Sequence, residues 1–576
     1  MADSTCLVLI ETSGNQRYVF DTNKRRENVG ASELIRRVGG PWLADARRAV
    51  GMTEANATLI AASGKVLVLA PDPDVGRALV RHVTLRALRE APGLDVAGIV
   101  GEPFDLAVDV LSEQVMDVHA RFQQARALRP GPDERFLRLP IVAECRTSGL
   151  PAMTIVDESH GRDPASVGPR SLPSAAKFAA AAQGLDRLAA AAGTRRDAMQ
   201  ETLRYLEERA EWVAVVHADG NGLGRMFFDL AAWSDTQAPD GASRRERNDR
   251  YADDLRRFSD AVDRCTRWAF RQALGTVARA AAADADGQPP QTPIAAVLPL
   301  VLGGDDLTVV CDGDIALPLT IAYLDAFERY PDASHTDVDD AAAATLISSV
   351  ASALTGSARL AASAGVAIVK RHYPFSFAYD LAEALTHSAK EIKRRVPDAP
   401  CSALDFHVLY DSTAADLARI RAGLTRMEPA ADGVAGMDTM SRLVAHPYVV
   451  TPLDRLGLTH ASAWVRRHHW TRTEARVAAL RATTTGDAEG EVLALPRGQL
   501  HGLRSALFVG RSVAEARYAA LRHRYPEGAV AVAALGGDDG LLFWREDDGV
   551  HETGLLSALD ALDFLPASAP DDREDA

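Results

Sequence analysis

The chain has 576 residues, 47% of them hydrophobic, which is material for more than one packed domain because single cores stop growing well below this length. Its formal net charge is −15, and lysines and arginines are spread among acids rather than gathered into a stripe, which argues against broad duplex DNA binding through phosphate neutralisation. Five cysteines (Cys6, Cys145, Cys265, Cys311, Cys401) stand far apart without a CxxC pair, and no apolar segment is long enough to cross a bilayer. A disulfide framework, a self-evident zinc site and a membrane span are therefore not written here, and a cytoplasmic protein with reduced thiols is expected.

Taken in chain order, the elements repeat. "CLVLIETSGNQRYVFD" (6–21) reads as a buried first strand running into a turn, "LIAASGKVLVLAPD" (59–72) as a hairpin, "VGRALVRHVTLRALREA" as a helix, and "DVAGIVGEPFDLAVDVLSEQVMDVHARF" (95–122) as a strand followed by a helix. The same plan recurs in "VAVVHADGNGLGRMFFD" (213–229), "PLVLGGDDLTVVCDG" (299–313), "IALPLTIAYLDAFERY" and "SAGVAIVKRHYPFSFAYDLAEALTHSAKEIK" (363–393). An α+β chain follows, with two ferredoxin-like βαββαβ units: a first palm-like module over 1–140, a loop and alanine-rich connector over 141–205, and a second module over 206–420. Residues 421–576 read as a mainly helical domain with a hairpin, ending in an acidic tail expected to be disordered.

The second unit keeps chemistry that the first has lost. Its first strand ends at Asp219 in "HADGN", and its hairpin carries Gly303, Gly304, Asp305 and Asp306. The first strand and the hairpin are neighbours in a βαββαβ sheet, so three carboxylates can meet at one edge. Hard divalent cations want such oxygen ligands, and two Mg²⁺ or Mn²⁺ ions about 3.5–4 Å apart suit phosphoryl transfer. Gly303 and Gly304 let the backbone approach a triphosphate, and Asn221 and Gly222 shape the turn beside it. The first unit has Ser13 in place of Asp219 and "ASGKV" in place of "GGDD", so it is expected to lend part of a nucleotide pocket or support alone. A second "GGDD" at 536–539 has no upstream strand ending in a carboxylate and reads as a turn.

Together, the paired modules, "GGDD", "HADGNGLG", "SAGVAIVK…PF…LAEAL…AK" and "C…SGLPA" resemble the large polymerase/cyclase subunit of type III CRISPR effector complexes over most of residues 1–420. The resemblance implies an active palm that makes cyclic oligonucleotides from ATP with two metals on Asp219, Asp305 and Asp306, and a phosphate-binding lysine at Lys390, whose bland alternative is a solvated helix face. Family members often begin with an HD nuclease domain and carry a zinc-binding cysteine cluster. This chain contains no His-Asp dipeptide and keeps only Cys145 of such a cluster, so neither DNA cleavage by that route nor zinc is expected. A short, free-standing relative, a homo-oligomer and a subunit of an RNA-guided complex all remain open.

Other residues read blandly. His217 shares a strand face with Asp219 and is expected to be a hydrogen-bonded core histidine. Lys370 and Arg371 are either triphosphate contacts or structural strand-end cations, and "RRHHW" (466–470) reads as a solvated helix face. The expected activity is condensation of ATP to a cyclic or linear oligoadenylate. The alternatives are a cyclase of other purine specificity, such as GTP to a cyclic dinucleotide, and an idle nucleotide-binding scaffold.

Overall fold

The computed structural model describes residues 4–566 except 53–56, 63, 158–166, 285–295, 398, 411–415, 429–438, 461, 486–490, 527 and 538. The acidic tail (567–576) and Asp538 of the second "GGDD" lie outside the described residues.

The first unit runs β1 (Ser4–Ser13), α1 (Arg25–Gly39), β2 (Thr58–Ala62), β3 (Lys65–Ala70), α2 (Pro73–Glu90), β4 (Asp95–Val100). Its strands pair antiparallel in the order β2-β3-β1-β4, the ferredoxin-like arrangement. Both faces of this sheet are covered, which is why "CLVLI" is a continuous apolar run rather than an alternating one. Leu7 and Leu9 enter one core, whereas Cys6, Val8 and Ile10 enter another. The connector folds as α3 (Leu172–Ala191) followed by a helix over Arg196–Glu208, and α3 lies directly on α1. At the crossing a Cβ on Gly30 would come within 1.7 Å of the Lys177 carbonyl oxygen, so the close approach of the two helices depends on that glycine.

The second unit repeats the order with larger parts: β5 (Trp212–Gly220), α4 (Leu223–Thr236), the 41-residue α5 (Arg244–Asp284), hairpin β6 (Val297–Gly303) and β7 (Asp306–Asp312), α6 (Gly313–Arg329), β8 (Ala362–Lys370), α7 (Phe375–Ala389), β9 (Ala403–Leu409). The sheet order is β10-β9-β8-β5-β7-β6, with β10 (Tyr448–Val449) recruited from beyond residue 420. β8 is buried from Ala362 to Val369 because α7 packs on its face. A Cβ at Gly365 would lie 2.1 Å from the Ala382 carbonyl oxygen and 2.4 Å from the Thr386 amide nitrogen, so the glycine of "SAG" lets the helix settle on the strand. The two larger hydrophobic clusters combine residues of the two units, and a third, smaller one joins the second unit to the C-terminal region.

The C-terminal region is mainly helical, with a small sheet in the order Thr425–Glu428, Thr439–Arg442, His551–Glu552, Trp544–Arg545. Here the solvated helix face expected at "RRHHW" is corrected. His468 and Trp470 are buried, Arg467 pairs with Glu546 at 2.6 Å, and His468 Nε2 meets Glu552 at 2.9 Å. The hairpin supplies carboxylates that the sequence pattern could not bring to these side chains, and burial of a paired charge follows. No helix among the described residues is long and apolar enough to cross a membrane.

Candidate metal centre and inter-palm cavity

β5 and the β6–β7 hairpin are hydrogen-bonded neighbours, with Leu307 opposite Ala218, so the end of β5 and the hairpin turn meet at one sheet edge. One carboxylate oxygen from each of Asp219, Asp305 and Asp306 lies within 4.8 Å of the others. Gly220 makes that approach possible, since a Cβ there would stand 3.0 Å from the Asp305 Cβ. Gly304 occupies the left-handed region (φ 61°) between the paired Gly303 and Asp306, giving a two-residue turn.

Burial raises the Asp305 carboxyl above its usual range, and burial together with Asp305 and Glu383 pushes Asp306 up to about 7. Crowded carboxyls that resist ionising alone are the donor set a divalent cation relieves, and all three residues offer hard oxygen. The residues fit the metal that the motif implies. Glu383, on α7, escaped the sequence analysis; only its position one helix turn beyond Tyr379 on the face toward "GGDD" could have drawn notice.

Lys390, which caps α7, forms an ion pair with Asp219. Burial, with Lys393 nearby, lowers its ammonium below the ordinary range. Asn221 spends its side chain on the fold: Oδ1 accepts from Ser363 Oγ at 3.0 Å and Nδ2 donates to the Cys401 carbonyl at 3.0 Å. Gly222, in the left-handed region (φ 78°), starts α4 without a side-chain cap. Asn221 and Gly222 also border a cavity of about 480 Å³ with Arg225, Arg359 and Lys393. His217 is buried, its Nδ1 is 3.0 Å from Thr308 Oγ1, and burial and Lys390 push its pKa down to about 4.

Lys370 and Arg371 sit at the far end of β8. Lys370 is in register with Trp212, eight residues before Gly220, or about 26 Å of strand away. Lys370 pairs with Glu211 at 2.7 Å and covers the Trp212 ring, and Arg371 donates to the Glu208 carbonyl. Their role is structural.

A cavity of about 720 Å³ opens between the two units and reaches Gly303, Asp306 and Thr308. Its opposite wall comes from the first unit, with Asn15, Gln16, β2 and α1, and its side wall from α5. Arg36, Arg187, Arg256, Arg267 and Arg271 line it. On the side of the first unit and connector, Arg36, Arg37 and Arg187 share the carboxylate of Glu33, an excess of positive charge, whereas α5 adds Asp260 and Asp263 to the lining beside its arginines. In the first unit, the corner equivalent to the acidic one holds Ser13, Gly64 and Lys65, with Lys65 paired to Glu11 at 3.1 Å.

The second "GGDD" follows a helix, Ala529–Ala534, not a strand, and Asp539 Oδ1 accepts from the Leu541 amide at 3.1 Å within a turn. A hairpin follows it, joining Trp544–Arg545 to His551–Glu552, and further antiparallel pairs of this region join Thr425–Glu428 to Thr439–Arg442 and Thr483–Thr485 to Glu491–Leu493. All five cysteines are buried and unpaired.

No protein-family model and no curated protein matches the chain. Among solved structures it is similar to a Csm1–Csm4 cassette in complex with cA4 (13% identity, TM-score 0.48, 97% of this chain and 70% of that one) and to the cassette in complex with AMPPNP (13%, 0.45, 93% and 65%). It is also similar to the Csm1–Csm4 subcomplex of the type III-A CRISPR-Csm interference complex (14%, 0.38, 69% and 54%). In the apo cassette, too, the chain spans only 54% of the length of the matched chain.

Proposed function

We propose that the chain is a metal-dependent nucleotidyltransferase that condenses ATP into a cyclic or linear oligoadenylate, a messenger-type product suited to antiviral signalling beside a type III effector. The observation that carries this reading is the meeting of Asp219, Asp305 and Asp306 beside an arginine-lined cavity large enough for nucleotide, with Asp306 itself part of the cavity wall. Asp219, Asp305 and Asp306 would hold the cations, which when bound supply activation of a 3′-hydroxyl and stabilisation of departing pyrophosphate.

The chain's own groups do the rest. The left-handed turn at Gly304 keeps side chains away from the approaching phosphates. Arginines on the facing walls offset phosphate charge and orient it. Lys390, ion-paired with Asp219, stands beside the carboxylates and would be free to bind a phosphate oxygen if that carboxylate held a cation. Neutral His217, held on Thr308, braces the strand beneath the carboxylates and carries no proton in the reaction.

The test incubates the purified chain with each NTP and Mg²⁺ or Mn²⁺ and resolves products by mass spectrometry. Oligoadenylate with pyrophosphate release, abolished in Asp305→Ala/Asp306→Ala, is the expected result. A product from GTP alone replaces the base assignment, and no product under any condition leaves the idle scaffold.

A further inference from the structure

Two hydrogen bonds from one helix grip the turn that carries Asp305. Thr266 Oγ1 on α5 donates to the Gly304 carbonyl at 2.6 Å, and the Gly304 amide donates to Asp263 Oδ1 at 3.1 Å. Residues three apart share a helix face, so both bonds come from a single turn of α5. Thr266 is fully buried and does not border the cavity, whereas Asp263 does and is paired with Arg267 at 2.7 Å.

The geometry matters because the Gly304 carbonyl and the Asp305 amide belong to one rigid peptide plane. Holding that carbonyl sets the direction in which Asp305 leaves the backbone. Holding the Gly304 amide sets the plane before it. A left-handed glycine alone would leave both planes free to swing.

α5 takes its own position from the first unit. Asn248 Nδ2 donates to the carbonyls of Leu106 and Asp109, both at 2.8 Å, its Oδ1 accepts from the Leu111 amide, and Arg256 Nε donates to the Thr58 carbonyl on β2. We infer that Thr266 and Asp263 are positioning residues that aim the metal-binding turn, and that α5 is the strut by which the degenerate first unit sets the geometry of the acidic one. This rests on the proposed metal site.

The experiment measures Mn²⁺ binding by the loss of the free-ion electron paramagnetic resonance signal, and the Mg²⁺ dependence of nucleotide condensation, for the full chain. Thr266→Val keeps shape but cannot donate. It should weaken Mn²⁺ binding by about 10-fold, the lower end of what loss of a ligand's own hydrogen-bond partner costs, and raise the Mg²⁺ midpoint in step. The lower end applies because the Thr266 bond is to the peptide that precedes Asp305 and not to the carboxylate. Thr266→Ser restores the donor and should restore both. Asp263→Ala should shift both in the same direction and serves if Thr266→Val does not fold. A merely structural role moves the melting temperature and leaves the Mg²⁺ midpoint in place.

Wild-type Mn²⁺ binding in folded Thr266→Val or Asp263→Ala overturns the inference. Asp305→Ala/Asp306→Ala separates the two readings: a double variant that still binds metal and turns over removes the site itself. A dead double variant beside wild-type-like Thr266→Val removes only the positioning role.

Discussion

Asp306 carries the sharpest electrostatic consequence of the site. Its carboxyl titrates near 7 in the folded chain against 3.8 ordinarily, raised by burial, Asp305 and Glu383. An acid whose folded pKa lies above its unfolded value binds more protons in the native state, so stability falls as pH climbs between the two values and levels off above about 7. Without divalent metal, Asp306→Asn should therefore match wild type near pH 4 and gain on it up to neutrality, by on the order of a few kcal/mol at about 1.4 kcal/mol per unit. Denaturant melts in chelator at a series of pH values measure this. A pH-independent difference would show that Asp306 is not held against its ionisation. Added Mg²⁺ should erase most of the gain, because the cation stabilises the wild-type carboxylate and has less to hold in the variant.

Among the elements, the two "GGDD" stretches show how far a short motif is decided by what surrounds it. Residues 303–306 join paired strands beside β5, and both polar groups of Gly304 are bonded to α5. Residues 536–539 follow a short helix, and the Gly537 amide donates to the Leu541 carbonyl to close a turn. Asp539→Ala removes the acceptor for the Leu541 amide and should cost about 1 kcal/mol of stability while leaving synthesis within a few-fold of wild type. Thermal melts and pyrophosphate release check the two halves separately. A loss of synthesis as deep as that of the 305/306 double variant would move the active site to the C-terminal turn.

For the whole molecule, the duplication acquires a purpose from the cavity it encloses. The first unit has no acidic corner of its own, yet it contributes Arg36 and, with the connector, the Glu33-centred cluster that faces the hairpin. If these arginines meet substrate phosphates, Arg36→Ala removes binding made equally in ground and transition states. KM for the nucleotide should rise roughly tenfold, the equivalent of one charge-assisted hydrogen bond, with kcat little changed. Steady-state kinetics at two ionic strengths measure it, the wild-type advantage shrinking as salt screens the partly exposed guanidinium. Unchanged KM would mean that the nucleotide does not use the first unit's wall.

Sequence by itself determined the duplication, the order of strands and helices in both units, and which copy kept its carboxylates, because period, turn residues and side-chain type are local properties. It also singled out Asp219, Asp305 and Asp306, since strand neighbourhood in a βαββαβ sheet follows from order alone. Tertiary structure decided the rest. Asp263 and Thr266 lie some forty residues from Gly304 on a helix whose charged pattern resembles any solvated one, and only packing reveals which of its faces grips the turn. "RRHHW" looked solvated until the distant Glu546 and Glu552 arrived to pair with it. Asn221 looked like part of a ligand turn until Ser363 and Cys401 took its polar atoms. In each case the deciding partner is remote in the chain, and a hydrogen bond or ion pair leaves no period in the sequence from which it could be read.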